Sequence, residues 1–308
     1  MPSKILPKLY PIHQSPLFRL LSKRRFESVI GVSWDAVPDL LASKSYRTWT
    51  NENGREIQAP ILWMATVHRR IANLLGRIEL PDYLFSRKGR SYADNTRQHI
   101  GNQPLVKTDI SKFYPSTTRR MVLKMFLEDF QCATDVANRL ADICCYKQEH
   151  LPTGSPLSGR VAFFAARHMF DEIAVLASAS DCKMTAYVDD ITLSGRNASK
   201  ALLGKVRKIV SNHGLVTKQK KSKTFAANAA KTVTGAVIVG NEIRLPNQRH
   251  KRISEAHQDV RTSSGSNRAK AVRVLRGRLQ EASQVLGNTS TTQQTEDKVP
   301  NPSAHLPS

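Results

Sequence analysis

Two adjacent aspartates in Tyr187-Val188-Asp189-Asp190 are the side chains of this sequence best suited to chemistry. They lie between two short β-prone runs, Met184-Thr185-Ala186 and Ile191-Thr192-Leu193-Ser194, which predicts a hairpin with two carboxylates at its tip. Successive side chains in a strand point to opposite faces, and neighbouring carboxylates repel. A hard cation such as Mg2+, which takes carboxylate and phosphate oxygens, relieves that repulsion. The plain alternative is a solvated acidic turn. A third carboxylate changes the balance: Asp109 stands near the end of an apolar run at 105–110, far upstream. A strand-end aspartate beside an acidic hairpin can build a two-metal site with ions about 3.5–4 Å apart. One ion then activates an attacking hydroxyl, and the other neutralises charge on a leaving pyrophosphate. Taken alone, Asp109 is equally well read as a carboxylate bonded to backbone amides.

Several elements must position these groups. Pro115 is expected to stop the Asp109 strand, and Ser116 or Thr117 to cap a helix over 119–130 with Val122, Met125, Phe126 and Phe130 at helical spacing. A second helix, apolar on several sides, is predicted over about 159–177, buried under the sheet. Upstream, 46–50 and 55–58 read as a hairpin around a turn at 51–54, with Arg47 and Arg55 on its two arms. A periodic helix at 62–75 bears Arg69 and Arg70, and 86–99 is a basic loop containing Arg87, Lys88, Arg90 and Arg97. From 205 to 278 the charge is strongly positive, with a cluster at Lys218, Lys220, Lys221 and Lys223. Val272, Leu275, Leu279 and Leu286 form an apolar stripe with Arg273, Arg276 and Arg278 off it, a basic amphipathic helix from about 266 to 284. Such a face is either solvated or a phosphate contact, and the scarcity of acids favours phosphate. Residues 287–308 are Ser/Thr/Gln/Pro-rich and read as a disordered tail.

The 308 residues carry a formal charge of +22, which points to a polyanionic partner, nucleic acid above all. With 40% apolar residues the chain can bury an ordinary core as one large domain or two smaller ones. Cys132, Cys144, Cys145 and Cys182 form no CxxC pair and no zinc spacing. Cys144 and Cys145, which follow Leu140-Ala141-Asp142-Ile143, read as small core residues, and the set fits a reducing, cytoplasmic compartment. Neither a membrane-spanning apolar run nor a signal-peptide core is seen in the sequence.

In order along the chain stand a basic hairpin, the Asp109 strand, Leu151-Pro152-Thr153-Gly154-Ser155-Pro156, the Tyr-x-Asp-Asp hairpin and a basic tail domain. That order resembles a reverse transcriptase over about 40–285. Asn95-Thr96-Arg97-Gln98-His99, Val233-Thr234-Gly235 and Ile143-Cys144-Cys145-Tyr146-Lys147 are similar to elements of the bacterial retron branch. The sequence departs from that pattern in four places: Thr96 replaces an alanine, Thr153 a glutamine, Gly159 a proline, and Lys218 an asparagine.

The resemblance implies an α+β right-hand polymerase fold with fingers, an antiparallel palm sheet and a helical basic thumb. Its divisions would be an N-terminal helical extension (1–44), fingers (45–104), palm (105–240), thumb (241–286) and the tail. It implies RNA-directed DNA synthesis, with two Mg2+ ions held by Asp109, Asp189 and Asp190 and by the Ile110 carbonyl. Arg47, Arg55, Thr153, Gly154 and Lys221 would contact the nucleotide, and Tyr114 would be the gate against a ribose 2′-hydroxyl. Packing is the alternative for Tyr114, and a solvated edge for Arg47. Asn95, His99, Arg268, Arg273 and Arg276 would bind RNA, though His99 reads equally as structural. Implied partners are deoxynucleotides, a cognate structured non-coding RNA (msr-msd), a branched RNA–DNA product (multicopy single-stranded DNA), a retron effector in anti-phage defence, and a host RNase H to remove template. A defence polymerase making untemplated DNA and a non-catalytic RNA-binding scaffold are the competing readings.

Overall fold

The computed structural model describes residues 8–286, so the expected tail at 287–308 lies outside the described residues. Ser22 opens helix α1 (Lys23–Ile30) by accepting from the Arg25 amide, and α1 buries Phe26, Val29 and Ile30. A short α2 (Val37–Leu40) follows. Strands β1 (Tyr46–Thr50) and β2 (Glu56–Pro60) form the expected antiparallel hairpin, in register from Tyr46↔Pro60 to Thr50↔Glu56. Its turn is closed by Asn51 Oδ1, which accepts from the Asn53 amide at 3.0 Å and the Arg55 amide at 2.9 Å. Helix α3 (Leu62–Leu75) buries Met64, Val67, Ile71 and Leu75, and α4 (Tyr92–Arg97) starts with a Ser91–Asp94 capping box.

Strand β3 (Leu105–Asp109) leads into α5 (Phe113–Ser116), α6 (Arg119–Lys124) and α7 (Thr134–Cys144). Pro115 sits inside α5, whose bonds a proline in the first turn does not disturb. The cap of α6 is Thr118, which accepts from the Met121 amide, so neither Ser116 nor Thr117 plays that part. The expected helix over 119–130 holds its direction but widens into a π-type turn at Met125–Asp129. The long helix expected over 159–177 is two: α8 (Ser158–Ala165) and α9 (Arg167–Ala179), broken where Ala166 leaves helical geometry at φ −107°, ψ 11°. The break seats Phe163, Phe164 and Phe170 against Phe130 and one another.

Strands β4 (Cys182–Tyr187) and β5 (Asp190–Gly195), helix α10 (Lys200–Asn212) and strand β6 (Lys223–Phe225) complete a four-stranded sheet in the order β4-β5-β3-β6, antiparallel throughout. Its two faces differ as strand alternation requires. Val106, Met184, Ala186, Ile191 and Leu193 share the face covered by α9 and α10. Lys107, Asp109, Tyr187, Asp190 and Thr192 share the other.

A three-stranded sheet, β7 (Lys231–Val233), β8 (Ala236–Val239) and β9 (Glu242–Arg244), packs Val233 and Ile238 onto Leu105 and Phe225. Helices α11 (Asn247–Thr262) and α12 (Gly265–Leu286) pack on each other, with α12 on β9. Their apolar contact is thin: α12 buries only Ala282 and Val285. Of the expected stripe, Leu275 and Leu279 are half-buried, while Val272 and Leu286 are exposed. All four cysteines are buried and free. No helix among the described residues is long and apolar enough to cross a membrane.

Candidate active site

The β3–β5 register sets Asp109 opposite Asp190. Beyond that pair the Ile110 amide donates to the Asp189 carbonyl at 2.9 Å. The 110/189 pair is therefore hydrogen-bonded and the 109/190 pair is not, the arrangement in which facing side chains come closest. Val188 takes the left-handed conformation at φ 57°, with its amide bonded to Ser86 Oγ at 3.1 Å, and so turns Asp189 over the same end of the sheet. Three carboxylates from distant parts of the sequence thus meet at one sheet end.

Their electrostatics carry the marks of crowding. The Asp189 carboxyl is pushed up to about 6, by burial first and the Asp109 charge second. Burial also raises Asp190, against the pull of Lys107 below it on β3. Asp109 is buried, and Lys221 Nζ donates to its Oδ2 at 2.5 Å. That bond is the main reason the Lys221 ammonium is held above its ordinary value. From the other edge the Lys218 amide donates to the Asp109 carbonyl at 2.7 Å. Among the described residues no three carboxylate, imidazole or thiolate groups already close around one point as in a filled metal site. The donor chemistry nonetheless fits a hard divalent cation: carboxylate oxygens from two adjacent strands, crowded enough that two are raised. Asp109, Asp189 and Asp190 are the residues that would hold it, with Lys221 ceding part of Asp109.

Above the carboxylates is a cleft of about 330 Å³ lined by Arg55, Phe113, Tyr114, Tyr187, Val188, Asp189, Asp190 and Thr234. Tyr114 lies beside Phe113, ring centroids 6.0 Å apart and nearly parallel, and α8 approaches its hydroxyl at Gly159. Burial and the Asp189 charge raise the Tyr114 phenol, and Arg55 opposes them. The hairpin thus delivers Arg55 to the cleft. Arg47 is not there: its guanidinium lies 5.6 Å from the Trp49 ring centroid, on the exposed side of β1.

Four other expected contacts fall elsewhere. The Thr153 hydroxyl, taken for a nucleotide contact, is committed to the hairpin: it lies 2.8 Å from Gln58 Oε1 and 2.8 Å from the Glu56 carbonyl. The Thr153 amide adds a bond to Gln58 Oε1 at 3.0 Å. Gly154 also faces the hairpin. Its amide donates to the Gln58 carbonyl at 3.0 Å, and a Cβ there would stand 2.9 Å from that oxygen. Asn95 is 1% exposed and His99 0%, which leaves neither a surface for RNA. Asn95 Nδ2 donates to Thr234 Oγ1, and the His99 ring is held between Ser194 Oγ and Thr185 Oγ1, each at 2.7 Å. Burial, with help from Lys183, pushes His99 down to about 3, so it is neutral at physiological pH. Arg268, Arg273 and Arg276 are all exposed on α12, as an RNA contact requires. Gln58 and Thr234 are the residues that sequence reasoning missed. An inward polar residue on a hairpin was the one trace of Gln58; Thr234 was visible only as the centre of a short triplet.

The reverse transcriptase (RNA-dependent DNA polymerase) family matches residues 42–272. Retron Ec86 reverse transcriptase of Escherichia coli is 27% identical over 202 residues, 65% of this chain and 61% of that protein. Retron Ec48 reverse transcriptase, also of Escherichia coli, is 25% identical over 61% of this chain and 47% of its own length. Retron Se72 reverse transcriptase of Salmonella heidelberg (strain 579083-10) is 24% identical over 62% of this chain and 51% of its own length. The chain therefore spans roughly half to three-fifths of these relatives. Among solved structures, apo telomerase from Candida tropicalis superposes with a TM-score of 0.44 at 12% identity, over 66% of this chain and 54% of that one. With its carboxylate cleft inside a match that covers most of its length, the chain belongs to the reverse transcriptase family, and its relatives are of the retron type.

Proposed function

We propose that this chain is an RNA-directed DNA polymerase of a retron, with the 109/190 strand pair as its catalytic floor. The observation that carries the reading is the convergence of Asp109, Asp189 and Asp190 below a cleft that also receives Arg55 and Tyr114. In this reading the β4-β5-β3-β6 sheet is the palm, the β1–β2 hairpin belongs to the fingers, and α11 and α12 form the thumb.

Phosphoryl transfer asks the protein mainly for positioning and charge neutralisation. Two Mg2+ ions are proposed on the three carboxylates; when bound, they activate the attacking hydroxyl and neutralise charge at the leaving pyrophosphate. Arg55 grips the triphosphate, since its planar fork matches phosphate oxygens in pairs. Tyr114 borders the sugar and excludes a 2′-hydroxyl by bulk. Lys221 holds Asp109 in place and shares its charge. The exposed arginines of α12 contact phosphates of the cognate RNA, which is read by shape and loops because A-form duplex hides its base edges. The product is multicopy single-stranded DNA joined to that RNA through a 2′-hydroxyl. Template removal by a host RNase H and action with an effector against phage, in the cytoplasm, complete the proposal and follow from the resemblance to the retron branch.

Primer extension on an RNA template with Mg2+ tests it. The wild type is expected to make template-matched DNA, and Asp109→Asn none, with an unchanged circular dichroism spectrum. No product from the wild type would leave a non-catalytic RNA-binding scaffold. DNA of random sequence would indicate untemplated synthesis.

A further inference from the structure

Thr234 lines the cleft from the β7–β8 turn, and its backbone is strained. A β-branched residue at φ 41° is an outlier that the surroundings must enforce. The enforcement comes from α4. Thr234 Oγ1 donates to the Tyr92 carbonyl at 3.0 Å and accepts from Asn95 Nδ2 at 3.2 Å. Thr96 Oγ1 lies 3.0 Å from the Val233 carbonyl, 3.1 Å from the Tyr92 carbonyl and 3.2 Å from Thr234 Oγ1. That is more acceptors than its single proton can serve. The α4 side of the cluster is buried, with Thr96 0% exposed and Asn95 Oδ1 buried with no partner among the described residues, while Thr234 is half-buried at the cleft. A buried amide oxygen left unpaired is a cost borne at the same place as the strained Thr234 backbone.

We propose that Asn95 and Thr96 are positioning residues of the cleft, acting through Thr234 to fix one of its walls. The role rests on the polymerase reading above. Thr234 has spent its hydroxyl proton on the Tyr92 carbonyl, so it offers a substrate no hydrogen-bond donor. It acts as a steric wall that sets where a reacting strand sits over Asp189 and Asp190. A wall that sets geometry governs turnover, whereas nucleotide affinity stays with Arg55. Small misplacements of reacting groups cost rate steeply.

Thr96→Ala and Thr234→Val each remove a hydroxyl of the lock without adding bulk, and Thr96→Ser keeps the hydroxyl. All three are to be compared with wild type in steady-state primer extension and thermal melting. The expected result is a kcat lowered roughly tenfold or more in Thr96→Ala and Thr234→Val, with the KM for deoxynucleotide within about twofold of wild type. Thr96→Ser should recover most of the kcat. A lower melting temperature with unchanged kcat would overturn the proposal and leave a structural cluster. So would a rise in nucleotide KM with kcat unchanged, which would place the effect on Arg55. Should Thr96→Ala not fold, Thr234→Val tests the same lock from the receiving end. An inactive wild type would instead count against the polymerase reading itself.

Discussion

Burial and the Asp109 charge push the Asp189 carboxyl up to about 6, against an ordinary value of 3.8. Between those values the folded chain binds more protons than the unfolded chain, so this residue's contribution to stability falls as pH rises through the window. At neutral pH Asp189 is therefore held in a charged form that the fold disfavours, which is what a cation site requires. Asp189→Asn should abolish DNA synthesis and yet raise the melting temperature of the metal-free protein at pH 7.5. The gain should vanish below about pH 4, where the wild-type carboxyl is protonated in both states. Adding Mg2+ should stabilise the wild type and leave the variant nearly unmoved, because only a ligand that binds the folded state shifts the equilibrium. A variant that melts below wild type at pH 7.5 without metal would contradict this. The three aspartates were legible because strand ends and carboxylates are local signals. The Thr153 side chain was not, because what it binds, Gln58, lies 95 residues away and nothing near either residue in the sequence points to the other.

The hairpin of β1 and β2 is placed by two fastenings: Asn51 closes its turn beside Arg55, and the loop at 152–154 holds Gln58 and the Glu56 carbonyl. Arg55 sits between them, so the cleft's cation depends on both. Thr153→Val deletes the hydroxyl bonds at constant volume. It should raise the KM for deoxynucleotide roughly fivefold to tenfold, the size expected for one or two hydrogen bonds, with little change in kcat. Gly154→Ala should do at least as much, since its Cβ would meet the Gln58 carbonyl, a backbone atom that cannot step aside. Unaltered nucleotide KM in both variants would mean that Arg55 is positioned without the loop. At this scale the hairpin, the Asp109 strand and the acidic hairpin followed directly from alternation and turn residues. The break between α8 and α9 did not: Ala166 is no helix breaker, and the division comes from seating Phe163, Phe164 and Phe170. The stripe expected on α12 shifted for a similar reason. The 22-residue helix lies along α11 alone for most of its length and is fully buried only near its end, at Ala282 and Val285, so periodicity was not a guide to burial.

Across the molecule the charge of +22 is unevenly compensated. Some arginines are paired, as in Arg119–Asp142, Arg249–Glu281 and the two arginines on Asp82, whereas Arg268, Arg273 and Arg276 stand exposed on α12 with no ion pair among the described residues. That helix packs along α11 and is tied near its end by Tyr92 and by Arg249 of α11, both bonded to Glu281, and by Arg97, bonded to the 284 carbonyl, so its outer face is left to solvent. A bare cationic helix on a thin apolar contact contributes little to the core and much to the field around the cleft. The arginines should therefore act on RNA affinity and leave chemistry alone. Replacing all three by alanine should weaken RNA binding and lower the slope of log affinity against log salt by about 2 to 3, since each phosphate contact contributes roughly 0.7–0.9. Primer extension at saturating RNA should keep its wild-type kcat, and the melting temperature should barely move. A reduced affinity with an unchanged slope would show that the loss is not one of phosphate contacts, and a reduced kcat at saturation would show that α12 reaches the catalytic cleft after all.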